Sequence, residues 1–261
     1  MKTIELIGTS GSGKTTAAKI LQLALVSRGV NAVDPTEATR RALMRSSGYI
    51  LRMFIRFSSL YVGQRFVHSR FIWGTKAMDD ASKKATREFA SLLSLIDHIA
   101  KEQRLPIGDV EKIQRWFKEL TTQYVLHREW LDTEVVVWEE GFALRAITLF
   151  QYGAKEPTSE MLTEYIKKVP VPDGVVDLAI RPETAYERMI ARKKLPNRMK
   201  GLTAEKMQGV LVRAREVATY AICAYRARGI NTYTIDTNKD RDIVARSLEQ
   251  LAETLVRMKH I

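Results

Sequence analysis

The chain has 261 residues, 45% hydrophobic and 28% charged, which is ordinary for a globular protein and long enough to bury a core. Its single cysteine, Cys223, excludes an internal disulfide, and with no secretory leader and no apolar run of bilayer length the expectation is a cytoplasmic protein without a membrane partner. The formal net charge of +12 is uneven: from Arg40 to Glu88 eleven Lys and Arg stand against three acids, a surplus of eight that favours a polyanionic partner.

In chain order, residues 3–7 predict a short buried strand. Gly8, Thr9, Ser10, Gly11, Ser12, Gly13, Lys14 and Thr15 then fit the phosphate-loop pattern G-x-x-x-x-G-K-[ST] at every specified position. Residues 16–28 predict a helix, apolar on most sides. A Gly/Ser-rich turn with a stray lysine would share the composition, but strand, glycine loop and helix in that order set this stretch apart. The residue types suit a triphosphate. Glycines let the backbone bend and turn its N–H groups inward, and the helix start adds unpaired N–H groups and a positive dipole end. Lys14 would reach the β- and γ-phosphates and the Thr15 hydroxyl would ligate Mg²⁺, with Ser10, Ser12 and Thr16 completing the cradle. Residues 30–33 predict a second strand, ended by Asp34-Pro35, and Thr36 is expected to cap a helix beginning at Glu37. This alternation predicts a parallel sheet with crossover helices.

Residues 40–131 break the rhythm. No strand is evident there, apolar residues recur at helical spacings, and Asp109 is expected to cap a helix after the Leu105-Pro106 break. The stretch is too long for a loop and predicts a basic helical insertion covering the acceptor side of the site. The sheet resumes at 134–138, an unalternating Val-rich run suited to a strand buried on both faces. Helices are predicted to about residue 151 and over 158–168, a fourth strand over 175–180, and a helix opened by Pro182. A long helix is expected over 203–228, with Cys223 buried in it. A fifth strand covers 230–235 and a helix closes the chain. The four histidines are scattered and show no metal-ligand spacing.

Phosphoryl transfer needs a metal site, a group that orients the acceptor, and positive charge on the transferring phosphoryl. Glu139 and Glu140 leave the end of the third strand, where parallel sheets bind ligands. Adjacent strand residues point opposite ways, so one of the two is expected to face the nucleotide. Glu139 is favoured, as acceptor-orienting base or as Mg²⁺ holder with Thr15. Arg188, Arg192 and Arg198, with Lys193, Lys194 and Lys200, read as a mobile arginine lid over 188–203, although cations near a helix C-terminus also complement its dipole. Arg145 would reach an acceptor or else point to solvent. Asp34, Glu37, Arg40 and Arg41 follow the second strand, where an acceptor would enter, and Asn238 and Lys239 would border the donor base.

These features resemble the P-loop nucleoside and nucleotide kinases, most of all the thymidylate and deoxynucleoside kinases. The resemblance lies in the phosphate loop, Asp34-Pro35-Thr36-Glu37, the acid-ended third strand, the Arg-rich stretch after Pro182-Glu183-Thr184-Ala185, and Ile235-Asp236. It implies a single three-layer α/β domain spanning 1–261, with a five-stranded parallel sheet in the order 2-3-1-4-5, a closing lid, Mg²⁺, and ATP as donor. Thymidylate kinases carry Asp-Arg, and deoxynucleoside kinases Glu-Arg, where this chain has Glu139-Glu140. The leading reading is an ATP-dependent kinase of a nucleotide, nucleoside or related hydroxyl compound. An alternative is a kinase acting on nucleic acid, at a polynucleotide end or a modified base. Its motive is the basic segment with Tyr49, Phe54, Phe57, Tyr61, Phe66, Phe71 and Trp73 interleaved, which otherwise form the insertion's own core. A non-kinase NTPase switch is third, since no glutamine is placed to orient water. The sequence leaves the oligomeric state open.

Overall fold

The computed structural model describes residues 1–46, 75–153, 158–192 and 195–257. Strand β1 (Lys2–Ile7) is its centre. It pairs in parallel with β3 (Val135–Trp138) on one side and β4 (Gly174–Ala179) on the other. The two-residue β2 (Ala32–Val33) flanks β3 and β5 (Thr232–Asp236) flanks β4, giving the order β2-β3-β1-β4-β5, as expected for a P-loop kinase fold. A parallel sheet needs helical crossovers, so helices cover both faces and β3 reads as an unbroken apolar run, while β1 and β4 each carry one buried acid, Glu5 and Asp177.

The period of two along each strand sorts side chains between the faces. Ile4, Leu6, Val135, Val137 and Val176 meet α1 (Lys14–Val26) and α10 (Arg241–Arg257). Val136, Trp138 and Val175 face a larger core. That core is built by α2 (Pro35–Ser46), α3 (Lys76–Glu88), α4 (Ala90–Glu102), α5 (Ile107–Trp130), α6 (Phe142–Phe150), α7 (Ser159–Lys168) and α9 (Ala204–Ala227). A third, smaller cluster joins Met189 of α8 (Pro182–Ala191) to Met199 of the 3₁₀ turn Asn197–Met199 and to Met207 and Leu211 of α9. The described part of the insertion is helical: α3, α4 and α5 stack on the β3 side of the molecule, against α2 and α6.

Several local expectations change. Helix α2 begins at Pro35, not Glu37, because the Asp34 carboxylate accepts the amides of Thr36 (2.8 Å) and Glu37 (2.9 Å) and so takes the capping role expected of Thr36. Proline at the first helical position loses nothing, since its missing N–H would have had no partner. Asp109 does not cap α5 but stands inside its first turn, after Pro106 at the cap. Helix α1 starts at Lys14, with Leu23 and Val26 exposed on its outer side. Cys223, expected in a core, lies on the exposed side of α9, because Ala221, Ile222 and Tyr225 take the buried face.

Candidate active site

The phosphate loop leaves β1 and closes on α1. Gly11 has φ +85°, and a Cβ there would stand 2.6 Å from the Ala185 carbonyl oxygen, so the loop can pack against α8 only as glycine. Gly13 begins α1 without a side-chain cap, and the first turn holds no acid, which leaves its amides for an anion. The Ser12 hydroxyl is buried and has no partner among the described residues. Lys14 Nζ donates to the carbonyls of Gly8 and Thr9, 2.9 Å each. Enclosure of its ammonium by the loop, with a smaller push from Arg192, lowers its pKa to about 8 against the pull of Glu139 and Glu140. Thr15 Oγ1 donates to Glu139 Oε1. An alcohol and a carboxylate side by side at the mouth of a phosphate cradle form a hard oxygen pair of the type magnesium takes, so the residues present fit the ion.

Two cavities open on either side of this loop. One, of 430 Å³, is lined by Ser12, Gly13, Thr16, Arg188, Arg192 and Lys239, together with Thr237 and Arg241. The other, of 710 Å³, lies between α1, the ends of β2 and β3, α5 and α6. Thr15, Glu139, Glu140, Asp34 and Arg145 line it, joined by Lys19 and Gln22 of α1 and Trp116, Glu119 and Gln123 of α5. The Arg145 side chain is 13% exposed; its guanidinium stacks 4.7 Å from the Trp116 ring centre and donates to Glu140 Oε2 at 2.8 Å. Lys112 lies over the same ring at 4.8 Å.

Both glutamates line the larger cavity, and they turn to different partners. The strand ends at Trp138, so the alternation does not extend to them: Glu139 turns to Thr15 and Glu140 to Arg145. Asp34 lines the cavity while capping α2. Gly8, Ser10, Gly11, Ser12, Gly13, Lys14, Thr15 and Thr16 gather as the loop and first turn, and Arg188, Arg192 and Lys239 meet at the smaller cavity.

Other expected residues are drawn elsewhere. Glu37 holds Arg40 (2.6 Å) and Arg41 (2.8 Å) in a cluster along α2, Arg41 reaches Asn31 at the amino edge of the sheet, and none of the three lines the cavity. Asn238 ties strand ends together, accepting from the Arg181 amide and donating to Asp236. Arg198 stands apart from both cavities: it pairs with Asp109 at 2.9 Å and stacks on Tyr152 at 5.0 Å. Lys193 and Lys194 lie outside the described residues. So do Arg52, Arg56, Arg65 and Arg70 and the seven interleaved aromatics of the basic segment. Of its seven described cations, five are paired: Arg40 and Arg41 with Glu37, Arg45 with Glu134, Lys83 with Asp79, Lys84 with Glu129. Most of those acids lie outside the stretch over which the charge was counted.

Sequence reasoning missed Trp116, Glu119 and Gln123 as a lining set. Their signal was present but weak: residues 116, 119, 120 and 123 share one helical face, which reads equally as a core face.

No protein-family model matches the chain, and no curated protein matches it. Solved structures similar to it include deoxyadenosine kinase from M. mycoides with dATP bound, at 10% identity and TM-score 0.41 over 98% of this chain and 99% of that one. The same enzyme with dCMP and dCDP aligns at 11% identity and TM-score 0.41 over the same shares. Shikimate kinase from Acinetobacter baumannii with shikimate aligns at 18% identity and TM-score 0.35 over 99% of this chain and 94% of that one. No helix among the described residues is long and apolar enough to cross a membrane.

Proposed function

We propose that the protein is an ATP-dependent kinase whose acceptor is an uncharged, hydroxyl-bearing small molecule of nucleoside size, not a nucleotide. The observation that supports this choice is the charge of the larger cavity. Four acids line it, Asp34, Glu119, Glu139 and Glu140, against two cations, Lys19 and Arg145, and Arg145 is already answered by Glu140. A monophosphate entering there would meet a like-signed field at close range. A flat ring edged by hydroxyls would find Trp116 and the polar ends of Gln22, Gln123 and Glu119.

The loop amides and Lys14 bind the triphosphate. Thr15 and Glu139 would hold Mg²⁺, which when bound neutralises charge on the β- and γ-phosphate oxygens. Glu139 has one oxygen engaged by Thr15, leaving the other to orient the acceptor hydroxyl and take its proton as the new O–P bond forms. The bond from the γ-phosphorus to the bridging oxygen breaks, and ADP leaves with that electron pair. Arg188 and Arg192, at the smaller cavity, supply positive charge on the donor side. The test is transfer of labelled phosphate from γ-labelled ATP to nucleosides, their monophosphates, sugars and oligonucleotides. Uncharged acceptors should be used at least about a hundredfold better than their monophosphates, about 3 kcal/mol of discrimination. Preference for a monophosphate or an oligonucleotide would sink this reading.

A further inference from the structure

Glu5 lies inside β1, three residues before the loop's first glycine, and is 4% exposed. Ile4 and Leu6 point to the α1 and α10 side, so Glu5 points into the opposite layer, level with Trp138 of β3 and Val175 of β4. Its carboxylate crosses to the start of α6. Oε2 accepts the Ala143 amide at 2.5 Å, and the Phe142 amide donates to it as well. Gly141, just before the helix, has backbone angles that any residue adopts (φ −78°, ψ −170°). A Cβ there would nonetheless stand 2.7 Å from the Glu5 carboxyl carbon, so glycine is needed to admit the carboxylate. On the other side, the Tyr165 hydroxyl donates to the Phe142 carbonyl at 2.7 Å. The turn is thus gripped from β1 and from α7. Glu139 and Glu140 precede it directly, and Arg145 follows two residues after Ala143.

The arrangement is a costly way to fill a strand position. No cation pairs with Glu5 among the described residues, and burial raises its pKa to about 7 even though the two amides pull it down. An apolar side chain would avoid the desolvation of a carboxylate. Ionisable groups held at such cost gather at functional sites, and this one connects the strand that carries the phosphate loop to the segment that carries the acceptor-side residues.

We propose that Glu5 is a positioning residue: by holding the first turn of α6 it fixes where Glu139, Glu140 and Arg145 meet the acceptor, touching neither substrate itself. The effect on acceptor use rests on the transfer reaction proposed above; the anchoring of the turn does not.

Two variants of the full chain test it. Glu5→Gln keeps the shape and removes the charge, and Gly141→Ala pushes the carboxylate away from the turn. Three quantities are read: affinity for Mg²⁺ with a non-hydrolysable ATP analogue, kcat and KM for the acceptor, and hydrogen exchange of the amides at 139–145 against those at 8–15. In both variants kcat/KM for the acceptor should fall about tenfold to a hundredfold, the scale of a small misplacement near reacting atoms. Nucleotide affinity should stay within about twofold, and exchange at 139–145 should quicken about tenfold with no change at 8–15. Unchanged acceptor kinetics would overturn the proposal. So would an equal loss of nucleotide and acceptor binding, the mark of a merely structural residue. If the wild-type protein transfers phosphate to no acceptor, the kinase reading fails and exchange alone decides: faster exchange confined to 139–145 upholds the anchor, and unchanged exchange ends it. Should Glu5→Gln fail to fold, Gly141→Ala carries the same three readouts.

Discussion

The two halves of the site are built by opposite means. On the reading proposed above, the donor half is eight consecutive residues in which the backbone would do most of the binding: amides of the loop and of the first turn of α1, with Lys14 and Thr15 as the main side-chain contributors. The acceptor half would be the larger cavity, assembled from side chains on α1, α2's cap, α5, the end of β3 and α6. A site made of backbone tolerates little but its own glycines, lysine and threonine. A site made of side chains can change partner by single substitutions without disturbing the sheet. On that reading the phosphate donor would be fixed by the fold, whereas the acceptor would be set by residues the fold does not require.

The sharpest way to break this contrast is at Lys14. Lys14→Ala should lower transfer by on the order of 10³-fold while leaving melting nearly unchanged, since it removes a charge aimed at the phosphates and not a core contact. Retained activity would separate the loop from the chemistry. The same lysine gives a pH test. Its pKa in the free protein is about 8, so it loses its proton as pH rises from 7 to 9. Bound phosphates would hold that proton on, so nucleotide affinity should weaken above pH 8, and in Lys14→Ala that dependence should vanish. Titration by calorimetry at several pH values reads it directly.

Next in size is the stability of Glu5→Gln. The folded pKa of Glu5 is about 7, above its ordinary value of 4.5. Between these values the native state keeps a proton that the unfolded chain has released. The wild type therefore has its full Glu5 contribution below about pH 4.5 and loses it as pH rises through 7, by about 3 kcal/mol. Glutamine cannot ionise, so relative to wild type the variant should gain stability across that window. Urea melts at pH 5 and pH 8 check it. A variant that is more stable at pH 8 yet poorer with acceptor would separate positioning from packing, because a packing residue loses both together.

The contrast between the halves also explains what could be read from the sequence. The loop was legible because its signal is contiguous and its glycines, lysine and threonine have few other reasons to be spaced so. The sheet was legible because its buried strands are mostly apolar, most plainly at Val135, Val136 and Val137. The acceptor wall was not, because Trp116, Glu119 and Gln123 follow the spacing of any half-buried helix, and which neighbour covers that face is a tertiary fact. Charge counted along the sequence is incomplete for a related reason. The surplus counted from Arg40 to Glu88 omits Glu37, Glu129 and Glu134, which the fold brings to Arg40, Arg41, Lys84 and Arg45. Arg198 lies in a basic stretch that suggests a lid, yet Asp109, its partner, is 89 residues away in sequence.

A smaller effect tests the acceptor half. Arg145→Ala removes a stacked guanidinium and releases Glu140, leaving the cavity more acidic. The acceptor KM should rise about tenfold, a little over 1 kcal/mol, with nucleotide affinity unchanged. Arg145→Lys should not restore it, because a shorter, non-planar ammonium cannot both lie flat on Trp116 and keep the hydrogen bond that Arg145 Nη2 donates to Glu140. Rescue by lysine would mean that only the positive charge matters.

The smallest effect separates a lid arginine from a brace. Arg198 is 16% exposed and Asp109 30%, and the guanidinium also lies over Tyr152. In this position it joins the turn after α8 to the first turn of α5, away from both cavities. Held there, it acts as a brace: Arg198→Ala and Asp109→Ala should each cost about 1 kcal/mol of stability, discounted for the solvent that still reaches the pair. The double variant should cost less than the sum, with a coupling of about 0.5–1 kcal/mol. Transfer should change by less than about threefold in all three. If Arg198→Ala instead lowers kcat by on the order of 10²-fold while Asp109→Ala does not, the guanidinium must leave Asp109 during turnover, and positive charge on the phosphoryl would then come from the brace as well as from Arg188 and Arg192.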